Sequence, residues 1–190
     1  GKTVLFKCIC GLLQINEGSI LVDKKEIGAI IEEPGFLKQY SGKQNLRLLA
    51  SMSGKENIDI EKALKVVGLE CAGRKKVGKY SMGMRQRLGI AQAIMENQSI
   101  LILDEPMNAL DVRHVAIVSN ALRDEAGRGA HVIISSHLIG NLESLCDASV
   151  LLTGDDSRVV TREMGGDSKW IGNVYAQLFK TNDSKTRKGR

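Results

Sequence analysis

Two stretches of this chain carry side chains that could handle a phosphate group and a metal ion together. Gly1-Lys2-Thr3 leads straight into an apolar helical run, Val4 to Leu13. It matches the end of a phosphate-binding loop, G-x-x-x-x-G-K-[ST]. In such a loop backbone amides and a helix N-terminus surround phosphate, a lysine reaches the β and γ oxygens, and a hydroxyl joins Mg²⁺. Three residues alone are a weak signal. The second stretch, Ile100-Leu101-Ile102-Leu103-Asp104-Glu105, ends a wholly apolar run in two adjacent carboxylates. Open α/β sheets bind ligands at the C-terminal edges of their strands. There Asp104 suits the Mg²⁺ shell and Glu105 suits polarising an attacking water. Read by itself, the acidic pair could merely cap the strand.

The elements that must position these residues alternate along the chain. Ser19 to Val22 reads as a short strand. Ile27 to Ile31 is a further apolar run, closed by Glu32-Glu33-Pro34-Gly35. Leu46 to Met52 and Ala63 to Val67 suit short helices, the second with Asp59 near its start and Gly68 at its end. A longer helix is predicted from about Met84 to Met95. Ile100 to Leu103 looks like a buried parallel strand. A helix from Val112 to Ala126, a strand from His131 to Ser135 and a helix near Leu138 to Cys146 follow. Val150 to Thr153 and Arg158 to Thr161 read as final strands turned by Gly154-Asp155-Asp156. Alternating strands and helices imply an α/β fold, a parallel sheet covered on both faces. The helical stretch at about 38–84 reads as an inserted lobe.

Composition narrows the class. The chain has 190 residues, 43% hydrophobic and 26% charged, which fits one soluble globular domain over 1–190. No apolar run reaches the roughly 18 residues needed to cross a bilayer. No signal segment opens the chain, so cytoplasmic residence is expected. Cys8, Cys10, Cys71 and Cys146 show no zinc-type pairing and read as buried, reduced thiols. The net charge of +5 gathers at the end, in Lys180, Lys185, Arg187, Lys188 and Arg190. That tail reads as solvated; contact with anionic lipid or nucleic acid is the sharper alternative. Ahead of it, Trp170, Ile171, Val174, Tyr175, Leu178 and Phe179 fall on one face of an amphipathic helix, Ser168 to Lys180. The plain expectation is docking on its own domain or on a twin subunit, with a membrane surface as the alternative.

A family resemblance enters with Tyr80-Ser81-Met82-Gly83-Met84-Arg85-Gln86-Arg87, which is similar to the signature motif of ATP-binding-cassette (ABC) ATPases. Asn108-Ala109-Leu110-Asp111 resembles their D-loop, and Ser135-Ser136-His137 their switch-histidine segment. Phosphate loop, signature, Walker B strand, D-loop and switch histidine occur in family order over residues 1–137. The resemblance implies a P-loop NTPase fold with an inserted helical subdomain, and ATP and Mg²⁺ as ligands. It implies that two cassettes, identical or not, pair head to tail with ATP between them and power a separate transmembrane permease on the cytoplasmic face of the membrane. Gly1, Lys2, Thr3 and Val4 would then hold nucleotide, with Thr3, Asp104 and Glu32 at the metal. Ser81, Gly83 and Asp111 would act across the dimer interface. Glu105 and His137 would be catalytic, while His114 and His131 match no motif and read as structural.

The chain departs from the family pattern at several points. The Q-loop position, normally Gln, is Glu32, which adds negative charge beside a triphosphate. It implies either binding through the metal or slower hydrolysis. A similar Ile-Glu-x-Pro segment and Ser-x-Gly-Met signature occur in ABC ATPases that export peptide antibiotics or confer immunity to them. Met82 and Met84 replace Gly and Gln of the common signature, and Met107 replaces a common Thr. The family places a strand, most of the phosphate loop and an adenine-stacking aromatic ahead of the Gly1 position. The parent protein is therefore expected to carry residues before it. Rival readings are a non-transport ABC ATPase and an ATP-binding regulatory subunit with weak hydrolysis. The first fits poorly, since no long coiled coil or second cassette is present, and no nucleic-acid partner is expected.

Overall fold

A computed structural model describes residues 1–153, 156–161 and 169–174. The chain divides into two compact units, Gly1–Ser135 and Ser136–Arg190.

The first unit is built on β2 (Ile100–Leu103), a four-residue strand with parallel neighbours on both sides: β1 (Ile27–Ile30) and β3 (His131–Ile134). The register pairs Ile30 with Leu103 and Leu103 with Ile134, so all three strands end level. Leu101, Ile102 and Leu103 are fully buried, as expected of a central parallel strand covered on both faces. The outer strand differs. Ile133 of β3 remains 41% exposed.

Between β1 and β2 the chain is helical: α2 (Gly42–Ser53), α3 (Ile60–Val66) and α4 (Met82–Ile94). Each start is fixed by a side chain that accepts an otherwise unpaired backbone N–H. Ser41 and Gln44 form a reciprocal capping box on α2. Asp59 caps α3 and Ser81 caps α4. α2 and α3 end at Gly54 and near Gly68, both with positive φ. Leu46, Leu64, Val67, Leu69, Leu88 and Ile90 fill the interior of this region. α5 (Val112–Gly127), capped by Asp111, buries Val118, Ala121 and Leu122.

Two expectations at the N-terminal end change. α1 covers only Lys2–Ile9, because Gly11 takes a φ of +73° and the Lys7 carbonyl receives the N–H groups of Leu12 and Leu13. The chain turns there instead of continuing to Leu13. Residues 19–22 form no strand: a strand needs a partner, and among the described residues none pairs with this stretch. Leu21 is accordingly 95% exposed.

The second unit holds α6 (Ile139–Leu145) and an antiparallel pair, β4 (Ala148–Thr153) and β5 (Asp156–Thr161). The two turn residues 154 and 155 lie outside the described residues. Residues 170–174 are helical, and Trp170 and Ile171 are buried against Leu151 and Val160 within this unit. The Trp170 indole donates to the Glu143 carbonyl, and the Glu143 carboxylate accepts from the Gly172 N–H at 2.7 Å. The other proposed face residues, Tyr175, Leu178 and Phe179, and the basic tail lie outside the described residues. All four cysteines are free thiols, but not all are buried. Cys71 is exposed, and Cys8, Cys10 and Cys146 are half-buried. Burial pushes the Cys146 thiol up to about 11.

Among the described residues no helix is long and apolar enough to cross a membrane.

Candidate active site

At the shared end of β1 and β2, α1 meets the acidic strand exit. The Thr3 hydroxyl donates to Asp104 Oδ2 at 2.6 Å, joining residues 101 apart in sequence. Gly1 is the N-cap of α1, and no side chain caps this helix. Its first-turn N–H groups are therefore not claimed by a capping side chain, as a phosphate site requires. Gly1, Lys2 and Val4 are exposed around that turn.

Asp104 is buried, and its other oxygen accepts a short hydrogen bond from the Ser135 hydroxyl. Ser135 Oγ also accepts from the Glu105 N–H at 3.0 Å. One buried hydroxyl thus ties both carboxylate-bearing residues to the end of β3. Only the strand register brings Ser135 beside Asp104, and no local sequence pattern shows it. The Asp104 N–H in turn donates to the Ile30 carbonyl at 2.8 Å. Glu105 has a φ of +49°, a conformation that costs a non-glycine residue energy and that clusters at functional turns. Its carbonyl accepts from the Gln86 side chain at 3.3 Å and from the Asn108 N–H at 3.1 Å.

A hydroxyl and a carboxylate at hydrogen-bond distance form a hard-oxygen donor set. That chemistry fits Mg²⁺ better than a soft metal. Thr3 and Asp104 are the residues that would hold it.

Glu32 leaves β1 two residues after Ile30, with a φ of +63°. Its carboxylate is paired with Lys7 of α1 at 2.7 Å. The segment beyond it is anchored by Asn45 of α2, which accepts from the Leu37 N–H at 2.8 Å and donates to the Leu37 carbonyl at 3.1 Å.

The signature residues sit at the start of α4. Ser81 Oγ accepts from the Met84 N–H at 3.2 Å. Gly83 is pressed against the following loop: a Cβ there would lie 2.6 Å from the Ala109 carbonyl oxygen. Ala109 itself has a φ of +59°. Asp111 closes that loop as the N-cap of α5, accepting from the His114 N–H at 2.9 Å and meeting the His114 ring at 2.8 Å. The His114 N–H, then the ring, hold the Asp111 carboxyl below the usual carboxylate range. His114 matched no motif, yet it is the side chain that fixes this loop end. Arg87 of the signature is buried, donating to the Val67 and Gly68 carbonyls. His137 belongs to the second unit, while every other site residue named above lies in the first.

A family model described as "ABC transporter" matches residues 1–108. The chain is 41% identical over 175 residues to the uncharacterized ABC transporter ATP-binding protein YybJ of Bacillus subtilis, covering 86% of this chain and 79% of YybJ. It is 37% identical over 163 residues to the bacitracin transport ATP-binding protein BcrA of Bacillus licheniformis, covering 77% of this chain and 52% of BcrA. The chain thus spans about half the length of that relative. Its fold matches a solved ATP-binding subunit of an ABC transporter with a TM-score of 0.83, over 94% of this chain and 83% of that structure, at 22% identity.

Proposed function

This chain belongs to the family of ABC transporter ATP-binding proteins, and from that premise we propose that it binds and hydrolyses ATP to drive a separate transmembrane permease. The observation that carries the reading is the 2.6 Å contact between Thr3 and Asp104. It brings the phosphate-loop hydroxyl and the strand-end carboxylate to one point, as ATP hydrolysis requires.

Each residue then has a task. The free first turn of α1 and Lys2 bind the β and γ phosphates. Thr3 and Asp104 hold Mg²⁺, which when bound offsets charge on the phosphate oxygens. Glu105 follows Asp104 on the same strained turn and accepts a proton from the attacking water. Ser135 keeps Asp104 and Glu105 in register. The N-terminus of α4, with Ser81 and Gly83, faces the γ-phosphate of a second cassette, with Asp111 at the same interface. The protein works as a head-to-tail dimer at the cytoplasmic face of the membrane. Its cargo is a peptide antibiotic. Support for this comes from the likeness to BcrA and from the Ile31-Glu32-Glu33-Pro34 segment.

Purified full-length protein should hydrolyse ATP, and Glu105→Gln should slow turnover by about 100- to 10,000-fold while leaving nucleotide binding intact. Equal turnover in both proteins would show that Glu105 is not the base and favour a binding-only regulator.

A further inference from the structure

Glu32 poses a charge problem. The strand register places it at the same sheet edge as Asp104, where phosphate oxygens are expected to gather. A carboxylate there repels a triphosphate, and a neutral amide would not.

The geometry of α1 supplies an answer. Thr3 and Lys7 are four residues apart, one above the other on one face of the helix, a rise of about 6 Å. β1 and β2 are adjacent strands, spaced about 4.8 Å apart. The helix therefore offers two side chains at nearly the interval of two strand ends. Thr3 meets Asp104 beyond β2, and Lys7 meets Glu32 beyond β1 at 2.7 Å. These are two rungs of one arrangement, and the second delivers a positive charge to a carboxylate that would oppose the ligand.

We propose that Lys7 is a positioning residue for nucleotide binding: its ammonium group holds and neutralises Glu32, so that an acidic side chain stands at the phosphate edge without repelling MgATP. This rests on the nucleotide-site reading given above. The pair is partly open to water, with Lys7 29% and Glu32 62% exposed, so it adds little to fold stability. Its effect belongs in ligand affinity, and it must weaken as salt screens the charges.

The test is fluorescence titration of the full-length protein with trinitrophenyl-ATP and Mg²⁺, at low and high salt, alongside thermal melts. Lys7→Met should weaken binding about three- to tenfold at low salt and much less at high salt, with the melting temperature nearly unchanged. Lys7→Arg should bind like the parent. In a Glu32→Gln background, Lys7→Met should cost nothing, because no charge remains to be cancelled. An equal loss in the Glu32 and Gln backgrounds, or a loss indifferent to salt, overturns the role of Lys7. Should Lys7→Met fold poorly, Lys7→Gln carries the same comparison. A parent protein that binds no nucleotide at all would instead sink the site reading beneath it.

Discussion

The two ends of the candidate site are held together in opposite ways. At the phosphate edge the contacts join residues distant in sequence: Thr3 with Asp104 across 101 residues, Ser135 with Asp104 across 31, and Lys7 with Glu32 across 25. At the signature end the helix caps are local: Ser81 caps its own helix three residues on, and Asp111 does the same with His114, while Gln86 and Arg87 reach 19 to 20 residues away. The first end exists only when the sheet has formed and α1 has docked on it. The helix starts of the second are encoded in short segments, and the fold then presses Gly83 against Ala109 and seats Gln86 and Arg87 on distant carbonyls. A lesion at the phosphate edge should therefore remove chemistry with modest cost to folding. A lesion at the signature end should disturb a helix start or a loop packing first, and chemistry through it.

The largest expected effect lies at the phosphate edge. Asp104→Asn keeps an acceptor for Ser135 but removes the charge that a metal ion needs. Mg²⁺-dependent ATP turnover should fall about 100-fold, while a thermal melt shows the fold retained. Turnover within twofold of the parent would mean that the long-range contacts serve architecture alone, and the contrast between the two ends would dissolve.

Gly83→Ala probes the other end. The new methyl would meet a backbone oxygen at 2.6 Å, and the Ala109 turn that carries it is already at positive φ. Overpacking of this kind costs about 1–3 kcal/mol, so both melting temperature and turnover should drop, turnover by about tenfold. Gly127→Ala in α5 is the control. Nothing lies within 4 Å of its added methyl, and a helix gains slightly from alanine. Equal behaviour of the two variants would show that Gly83 does not bear on the loop.

The same contrast explains what could be read from the sequence. The strand Ile100–Leu103, the cap at Asp59, the metal candidate Asp104 and the catalytic candidate Glu105 are written in local pattern, and they lie at the positions the pattern gives them. The start of α4 is two residues earlier than the apolar pattern suggested, because Ser81 caps it and apolar spacing does not register a cap. The strand at 19–22 failed because alternation and β-propensity cannot supply a pairing partner. Ser135 and Lys7 went without roles for a related reason. Each acts only through a residue at least 25 positions away, and no spacing rule reaches that far. The exposure of Cys71 was equally hidden, since a free thiol's usual burial says nothing of one place in one fold.

Ser81 gives the smallest effect and the sharpest separation of cap from chemistry. Ser81→Ala removes the acceptor for the Met84 N–H, which should cost about 1 kcal/mol and lower the melting temperature by about 2–4 °C. Ser81→Asp restores the acceptor, and its charge suits a helix N-terminus, so stability should return to the parent value or above. If Ser81 also faces a phosphate from a second cassette, that same charge must repel it. Ser81→Asp should then be the more stable variant and the worse at ATP-driven dimerisation, read by size-exclusion chromatography of the Glu105→Gln background. A protein in which stability and dimerisation rise and fall together across the two variants would reduce Ser81 to a helix cap. The signature end would then be local in function as well as in structure.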